Sequence, residues 1–167
     1  MNRAYWFTGL SGAGKTTIGR LWYEKLQEAG ETAVFLDGDE LRQVFGGDLG
    51  YTEADRRKSA MRNARLCALL AKQGITAVCC TISMFDSIRQ WNRENIPGYF
   101  EIYVKASMDT LRQRNQKGLY CDGQDVAGIH FQVEEPKTPD LILENDGQQT
   151  PEKQIQLLWE ASRHICK

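Results

Sequence analysis

Histidine is nearly absent from this chain. His130 and His164 are the two among 167 residues, and neither has company at metal-ligand spacing, so packing accounts for both and no imidazole-built metal centre is expected. An excess of either charge is also missing. Lysine plus arginine number 21 and aspartate plus glutamate 22, a formal net charge of −1, which leaves no overall field to recruit a nucleic-acid polymer or an anionic membrane. Any anion must be met by a local arrangement. No apolar run reaches the length of a membrane span, and the stretch after Met1-Asn2-Arg3 is too short for a secretory leader. The five cysteines, Cys67, Cys79, Cys80, Cys121 and Cys166, are odd in number and lack Cys-x-x-Cys spacing, and Cys79-Cys80 sits inside an apolar run as small hydrophobes would. Reduced thiols and a cytoplasmic location are the expectation.

With 41% hydrophobic residues, a chain of this size can bury one good core but not two, so residues 1–167 are expected to form a single domain. Short β-rich runs at 4–8, 32–37, 75–82, 99–104 and 141–143 alternate with helix-like segments. That is the pattern of an α/β fold with a mostly parallel sheet of about five strands flanked by helices. Ile18, Leu21, Trp22, Lys25 and Leu26 recur at helical spacing, with Gly30 as the stop. A longer helix opens at Thr52, whose hydroxyl can cap it together with Asp55; its apolar stripe is Ala60, Ala64, Cys67 and Ala71, and Gly74 ends it. Thr150-Pro151-Glu152 gives another capped start, followed by Ile155, Leu158 and Ile165. Residues 117–139 carry Gly118, Gly123 and Gly128 without a clear period, and a loop of that length in a compact domain reads as a lid or a binding loop. Trp6, Trp22, Trp91 and Trp159 fall on elements and read as core or interface, with Trp91 and Trp159 the candidates for a homodimer surface.

Between the first strand and the first helix stands Gly9-Leu10-Ser11-Gly12-Ala13-Gly14-Lys15-Thr16-Thr17. Strand, then Gly-x-x-x-x-Gly-Lys-Thr, then helix is the Walker A arrangement in its required context. Glycines let successive backbone N–H groups turn inward around the β- and γ-phosphates of ATP, and the helix N-terminus adds its positive dipole end. Lys15 reaches the same oxygens and Thr16 can coordinate Mg²⁺. A flexible glycine-rich turn with an incidental lysine is the bland alternative, against which the correct flanks weigh.

No Asn-Lys-x-Asp motif of a GTPase is present, and the third strand ends Thr81-Ile82-Ser83-Met84 rather than in the acids of a transport-type ATPase. Acidic residues stand instead at the end of the second strand, in Leu36-Asp37-Gly38-Asp39. In an open α/β sheet that end faces the same crevice as the phosphate loop. Two carboxylates there can hold the metal's waters and orient, or deprotonate, an attacking hydroxyl; ordinary strand-ending turn chemistry is the other reading. Arg42 follows Asp39 by three residues and Arg56 shares the stripe of Ala60 and Ala64, so both are expected to point over the crevice toward a second anionic ligand. A salt bridge from Arg56 to Asp55 or Asp39 stays open, while Arg57 and Lys58 read as solvated.

Taken together these tracts resemble the adenylylsulfate kinase family, which phosphorylates the ribose 3′-hydroxyl of adenosine 5′-phosphosulfate. The matching stretches are FTGLSGAGKTT, LDGDELR, DLGYTEADR, the Ile82-Ser83 strand end, RNQKGLY and the tract from Gly128 to Pro136, in the family's order over nearly the whole chain. The resemblance implies a P-loop kinase fold, with ATP on Gly9 to Thr17 and Arg114, and Mg²⁺ on Thr16 and Asp37. It implies Lys15, Asp37 and Ser83 at the reacting centre, and Asp39, Arg42, Tyr51, Arg56, Ser59, Ile82, Ser83, Lys117 and Leu119 around the acceptor. Asp37 would serve the metal and the attacking hydroxyl, Asp39 the ribose, Arg42 and Arg56 the phosphosulfate, and Tyr51 would stack on the base. Lys117 would lie in a lid that closes over both nucleotides. Ser83 matches a serine once assigned as a phosphoserine intermediate; in-line transfer needs only positioning and charge stabilisation, and no base is dedicated to Ser83, so a substrate contact is the reading.

Departures from the family pattern bear on the base. Ser59 stands for Asn, Met61-Arg62 for Arg-Arg, Met84 for Pro, and Val126 for the second aromatic that would sandwich adenine, in a shortened lid. Stacking on a base is worth about 1–3 kcal/mol, so a purine would lose part of its hold. A pyrimidine loses less, and a related branch phosphorylates cytidine diphosphoramidate, which makes it the nearest rival acceptor; Phe131 could restore stacking or anchor the lid. A kinase of a non-nucleotide metabolite and an idle nucleotide-binding regulator are the remaining readings, the second opposed by the intact Lys15, Thr16, Asp37 and Asp39.

Overall fold

Every residue of the first strand, β1 (Ala4–Thr8), is buried, which calls for a partner strand on each edge and a covering layer on each face. The computed structural model, which describes residues 4–114 and 132–164, supplies all of them. Elements follow in the order β1, α1 (Lys15–Glu28), β2 (Ala33–Asp37), α2 (Gly38–Val44), α3 (Glu53–Lys72), β3 (Thr76–Cys80), α4 (Asp86–Asn95), β4 (Tyr99–Lys105), α5 (Met108–Arg114), β5 (Leu141–Glu144) and α6 (Pro151–His164). The strands form one five-stranded sheet in the order β2-β3-β1-β4-β5, parallel at every pairing. This is the α/β arrangement expected from the alternation. The largest shift in a strand end is at β3, which stops at Cys80 rather than Ile82. No helix among the described residues is long and apolar enough to cross a membrane.

Side-chain alternation along β1 divides the core in two. Tyr5 and Phe7 join Ile18, Trp22 and Leu26 of α1 and Leu158 of α6 on one face. Ala4 and Trp6 join Ala60, Ala64, Cys67 and Ala71 of α3 and Ile88 of α4 on the other. The small side chains of α3 leave room for the indole of Trp6, which is fully buried. Each large apolar side chain so buried contributes roughly 1.5–3 kcal/mol. Trp91 and Trp159, the dimer-surface candidates, are half-buried against these same two clusters. Because β1 sends the chain to α1 on one face and β3 sends it to α4 on the other, a crevice opens at the carboxyl ends of these neighbouring strands.

Local chemistry sets the helix ends. Thr52 Oγ1 accepts from the Asp55 amide at 3.2 Å and donates to Asp55 Oδ2 at 2.8 Å, so the expected cap of α3 is formed. The sequence reading gives no bounds for three short helices, although it sets Trp91 on an element. Helix α5 has only seven residues, too few for a period to show. Helix α4 starts without a side-chain cap, and α2 is hidden in the Asp-Gly-Asp turn.

Helix α1 crosses the sheet at a close approach. A Cβ added to Gly19 would stand 2.2 Å from Cys80 Sγ, so alanine there forces the helix off the strand. Gly19→Ala should destabilise the fold by about 1–3 kcal/mol in thermal or urea denaturation, and Cys80→Ala in the same chain should restore part of the loss. An unchanged melting temperature in the single variant would mean that α1 does not rest on β3 at this point.

Candidate active site

The turn from β1 into α1 holds Gly9, Gly12 and Gly14 at positive φ, 149°, 80° and 102°. Two of these positions also exclude a side chain by contact: a Cβ on Gly9 would lie 2.2 Å from Val104 O, and one on Gly14 2.3 Å from Asn145 Nδ2. Helix α1 opens at Lys15 with no side-chain cap and no acidic residue in its first turn, which leaves its end suited to an anion. Lys15 is buried, and its Nζ donates to Leu10 O at 2.7 Å. Ala13 is buried, Ser11 half-buried, and Thr16 and Thr17 are exposed. Arg114, expected among the nucleotide contacts, lies on the loop's carbonyl side: its Nη1 donates to Gly12 O at 3.3 Å and its Nη2 to Asn145 O.

Sheet register brings the acids to this loop. Asp37 is opposite Cys80 and Cys80 is opposite Phe7, so Asp37 ends its strand level with β1 but two strands away, about 10 Å. Thr16 closes the gap, donating from Oγ1 to Asp37 Oδ2 at 2.8 Å. The other carboxylate oxygen accepts from the amides of Asp39 at 2.9 Å and Glu40 at 3.4 Å, capping α2. Turn chemistry and site chemistry therefore share one side chain. The Thr16 hydroxyl and the Asp37 carboxylate form an adjacent pair of hard oxygen donors, a set that fits Mg²⁺. Asp39 sits in the first turn of α2, beside this pair.

Beyond α2 the two arginines meet at Tyr51. Arg42 Nη1 donates to Leu49 O at 3.1 Å and Gly50 O at 2.9 Å, and its guanidinium lies 4.6 Å from the Tyr51 ring centroid. Arg56 Nε donates to Tyr51 O at 2.8 Å, with its guanidinium 5.5 Å from the same ring. Both charges thus hold the 49–51 turn, and Tyr51 stays 57% exposed, a ring with surface to offer. Arg62, noted in the sequence only as part of Met61-Arg62, grips Asp48 with two bonds of 2.6 and 2.7 Å. Ser59, Arg42, Asp48 and Arg62 line a shallow depression beside the turn. Arg57, expected to be solvated, instead pairs with Glu53 at 2.9 Å and stacks 4.2 Å from the Phe85 ring, because its side of α3 faces the start of α4.

The strand-end segment runs alongside the phosphate loop. Thr8 Oγ1 donates to Ile82 O and the Thr81 amide to Phe7 O at 3.0 Å. Ser83 is buried, has φ 32°, and its hydroxyl shares a 2.8 Å hydrogen bond with Thr81 Oγ1. That left-handed backbone costs a residue other than glycine of order 1–3 kcal/mol, the kind of strain that collects at sites. Its partner is another hydroxyl rather than a base. Burial pushes the Cys80 thiol, whose Sγ lies 3.3 Å from Lys15 O, far up, so it supplies no thiolate. Within the tract at 117–139, the Glu134 amide donates to Met84 O at 3.1 Å and Glu134 Oε2 accepts from the Asp86 amide at 2.7 Å, tying this part of the chain to α4. Lys117, Leu119, Val126, His130 and Phe131 lie outside the described residues.

A family model described as adenylylsulphate kinase matches residues 2–144, the span from β1 through β5. The chain belongs to the adenylylsulphate kinase family. Among relatives in that family, a cytidine diphosphoramidate kinase of Campylobacter jejuni is 37% identical over 158 residues, 92% of each chain. An adenylyl-sulfate kinase of Halothermothrix orenii is 40% identical over 146 residues, 84% of this chain and 79% of its own. Of solved structures, the Mycobacterium tuberculosis APS kinase CysC in complex with AMPPNP and APS aligns with a TM-score of 0.89 at 31% identity, over 97% of this chain and 98% of that one. The family resemblance drawn from LDGDELR and DLGYTEADR is thus met, and with it the P-loop kinase fold and a phosphotransferase class acting on a hydroxyl group.

One electrostatic feature is directly measurable. The hydrogen bond and charge of Arg62 hold the Asp48 carboxyl below its ordinary range. A depressed folded pKa means that the pair's contribution is present above the unfolded value and lost as pH falls through the folded one. Arg62→Ala should return the Asp48 titration, followed by NMR, to about 3.9. A titration that does not move would show that the pair is not formed in solution.

Proposed function

We propose that this protein transfers the γ-phosphoryl group of Mg·ATP to the ribose 3′-hydroxyl of a nucleotide carrying an anionic 5′ group, with adenosine 5′-phosphosulfate as the first acceptor. The observation that carries the proposal is the 2.8 Å hydrogen bond from Thr16 Oγ1 to Asp37 Oδ2, which joins the phosphate loop and the acid of the second strand in one cluster. In this reading the loop amides of residues 9–17 and Lys15 bind the triphosphate and stabilise the charge that develops on it. Thr16 and Asp37 hold Mg²⁺, which supplies charge neutralisation at the transferring phosphate. Asp37 also orients the attacking hydroxyl and receives its proton, Asp39 holds the ribose, and Arg42 and Arg56 take the anionic 5′ group with Tyr51 beneath the base. Ser59, Ile82, Ser83, Lys117 and Leu119 complete the acceptor contacts, and the lid at 117–139 excludes water.

Cytidine diphosphoramidate is the second reading. It is favoured by Val126 in place of a second stacking aromatic and by the Campylobacter jejuni relative, which is matched over 92% of both chains. An ATP-coupled assay run with adenosine 5′-phosphosulfate and with cytidine 5′-diphosphate derivatives separates the two. Turnover of the sulfated nucleotide supports the first reading, and turnover of the cytidine nucleotide alone replaces it with the second.

Two substitutions test the roles. Asp37→Asn should lower kcat by two or more orders of magnitude while leaving ATP affinity within about a few-fold, because it removes the hydroxyl's base and not the phosphate cradle. Retained turnover would take Asp37 out of the reaction. Arg56→Ala should raise the acceptor KM about tenfold or more with little change in the KM for ATP, as expected for loss of a charge-assisted hydrogen bond; equal changes in both would remove its assigned role.

A further inference from the structure

A peptide loop that turns its N–H groups toward an anion must turn its carbonyl groups the other way, because each trans peptide plane carries the two in opposite directions. Those outward carbonyls need donors of their own. Ala13 O, in the peptide that carries the Gly14 amide, is held by Asn145 Nδ2 at 2.7 Å. Asn145 follows β5, and its own amide donates to Lys105 O at 2.7 Å, so the sheet fixes where it stands. Its side-chain amide is oriented in turn by Gln154 of α6, whose Nε2 donates to Asn145 Oδ1 at 3.1 Å and to Glu144 O at 3.2 Å.

Gln154 is an unusual occupant of its position. It is fully buried, and its Oε1 has no hydrogen-bond partner among the described residues. A buried acceptor left unpaired is a cost that an apolar side chain of the same shape would not carry. What the glutamine provides in exchange is a donor: with Gln154 Nε2 on its oxygen, Asn145 can present only its NH₂ group to Ala13. Gly14 is the other half of the contact, since a Cβ there would stand 2.3 Å from Asn145 Nδ2.

We infer that Asn145 and Gln154 are positioning residues of the nucleotide site. They form a relay from the C-terminal helix through the end of the fifth strand to the Ala13 carbonyl, and they fix the Ala13–Gly14 peptide plane so that the Gly14 amide faces the phosphates. The inference rests on the ATP reading above and adds to it the parts of the chain that preorganise the loop. It predicts a specific coupling: Gln154 acts on the nucleotide only through Asn145.

Calorimetric titration with AMPPNP and Mg²⁺, together with acceptor kinetics and melting curves on the full chain, tests this. Asn145→Ala and Gln154→Met should each weaken AMPPNP binding about 3- to 10-fold, the loss expected for one orienting hydrogen bond. The acceptor KM should stay within about twofold, and the double variant should bind within about twofold of Asn145→Ala alone, because coupled residues are not additive. Gln154→Met should do this with its melting temperature held or raised; Gln154→Leu, which also removes the donor, serves if the methionine variant fails to fold. Unchanged AMPPNP binding in the variants while the wild-type chain binds would overturn the inference and leave the ATP reading standing. Fully multiplicative effects, or a parallel rise in the acceptor KM, would also overturn it. A wild-type chain that does not bind AMPPNP overturns both.

Discussion

The candidate site depends on a single backbone constraint, the need to hold a short loop with three glycines at positive φ and with donors on its Leu10, Gly12 and Ala13 carbonyls. Glycine at positions 9, 12 and 14 makes the conformation accessible, each at positive φ, but accessibility is not preference. Preference comes from outside: Arg114 takes the Gly12 carbonyl, Asn145 takes the Ala13 carbonyl, and Val104 O presses so closely on Gly9 that no side chain fits. The central place of β1 in the sheet makes this possible, since it puts the loop within reach of supports on both sides.

Those supports are disposed with a rough symmetry. In the strand order β2-β3-β1-β4-β5, Asp37 ends the strand two places to one side of β1, and Asn145 follows the strand two places to the other. Asp37 meets the start of α1 through Thr16, and Asn145 meets the loop just before it. Asp37 divides its two oxygens between the cap of α2 and the Thr16 hydroxyl, so one carboxylate both builds the helix that carries Asp39 and Arg42 and faces the phosphate loop. Economy of this kind ties α2 to the start of α1. A change at Asp37 is felt in the direction of α2 as well as in the chemistry.

Much of this was legible in the residues themselves. The five apolar runs became five strands, displaced by no more than the two residues lost at the end of β3; for β1, β3 and β4 the reason is that a strand buried on both faces leaves a continuous apolar record. Thr52 and Asp55 announced the start of α3, and Ala60, Ala64, Cys67 and Ala71 its buried stripe, because capping and periodicity are local. Helix α4 left a fainter record: Phe85 at its N-cap offers no capping side chain, and the helix is mostly polar, held in part by contacts from far along the chain. Arg57 misled for the same reason. Its neighbours in sequence suggest solvent, and only the packing of α3 against α4 brings the Phe85 ring to it.

What the amino-acid order determined unaided was the chemistry that short stretches can specify: the glycine, lysine and threonine spacing of the phosphate loop, the acids after the second strand, the caps, and the alternation that dictates a parallel sheet. What only the folded chain decided was where long-range partners meet. Arg42 and Arg56 stand seven and five residues from the nearest carbonyl each holds in the 49–51 turn, yet they meet there only after α2 and α3 have set that turn between them, and Asn145 reaches Ala13 across 132 positions of sequence. A motif is written in spacing along the chain, whereas a hydrogen bond between distant residues depends on strand order and helix packing, which no local pattern encodes.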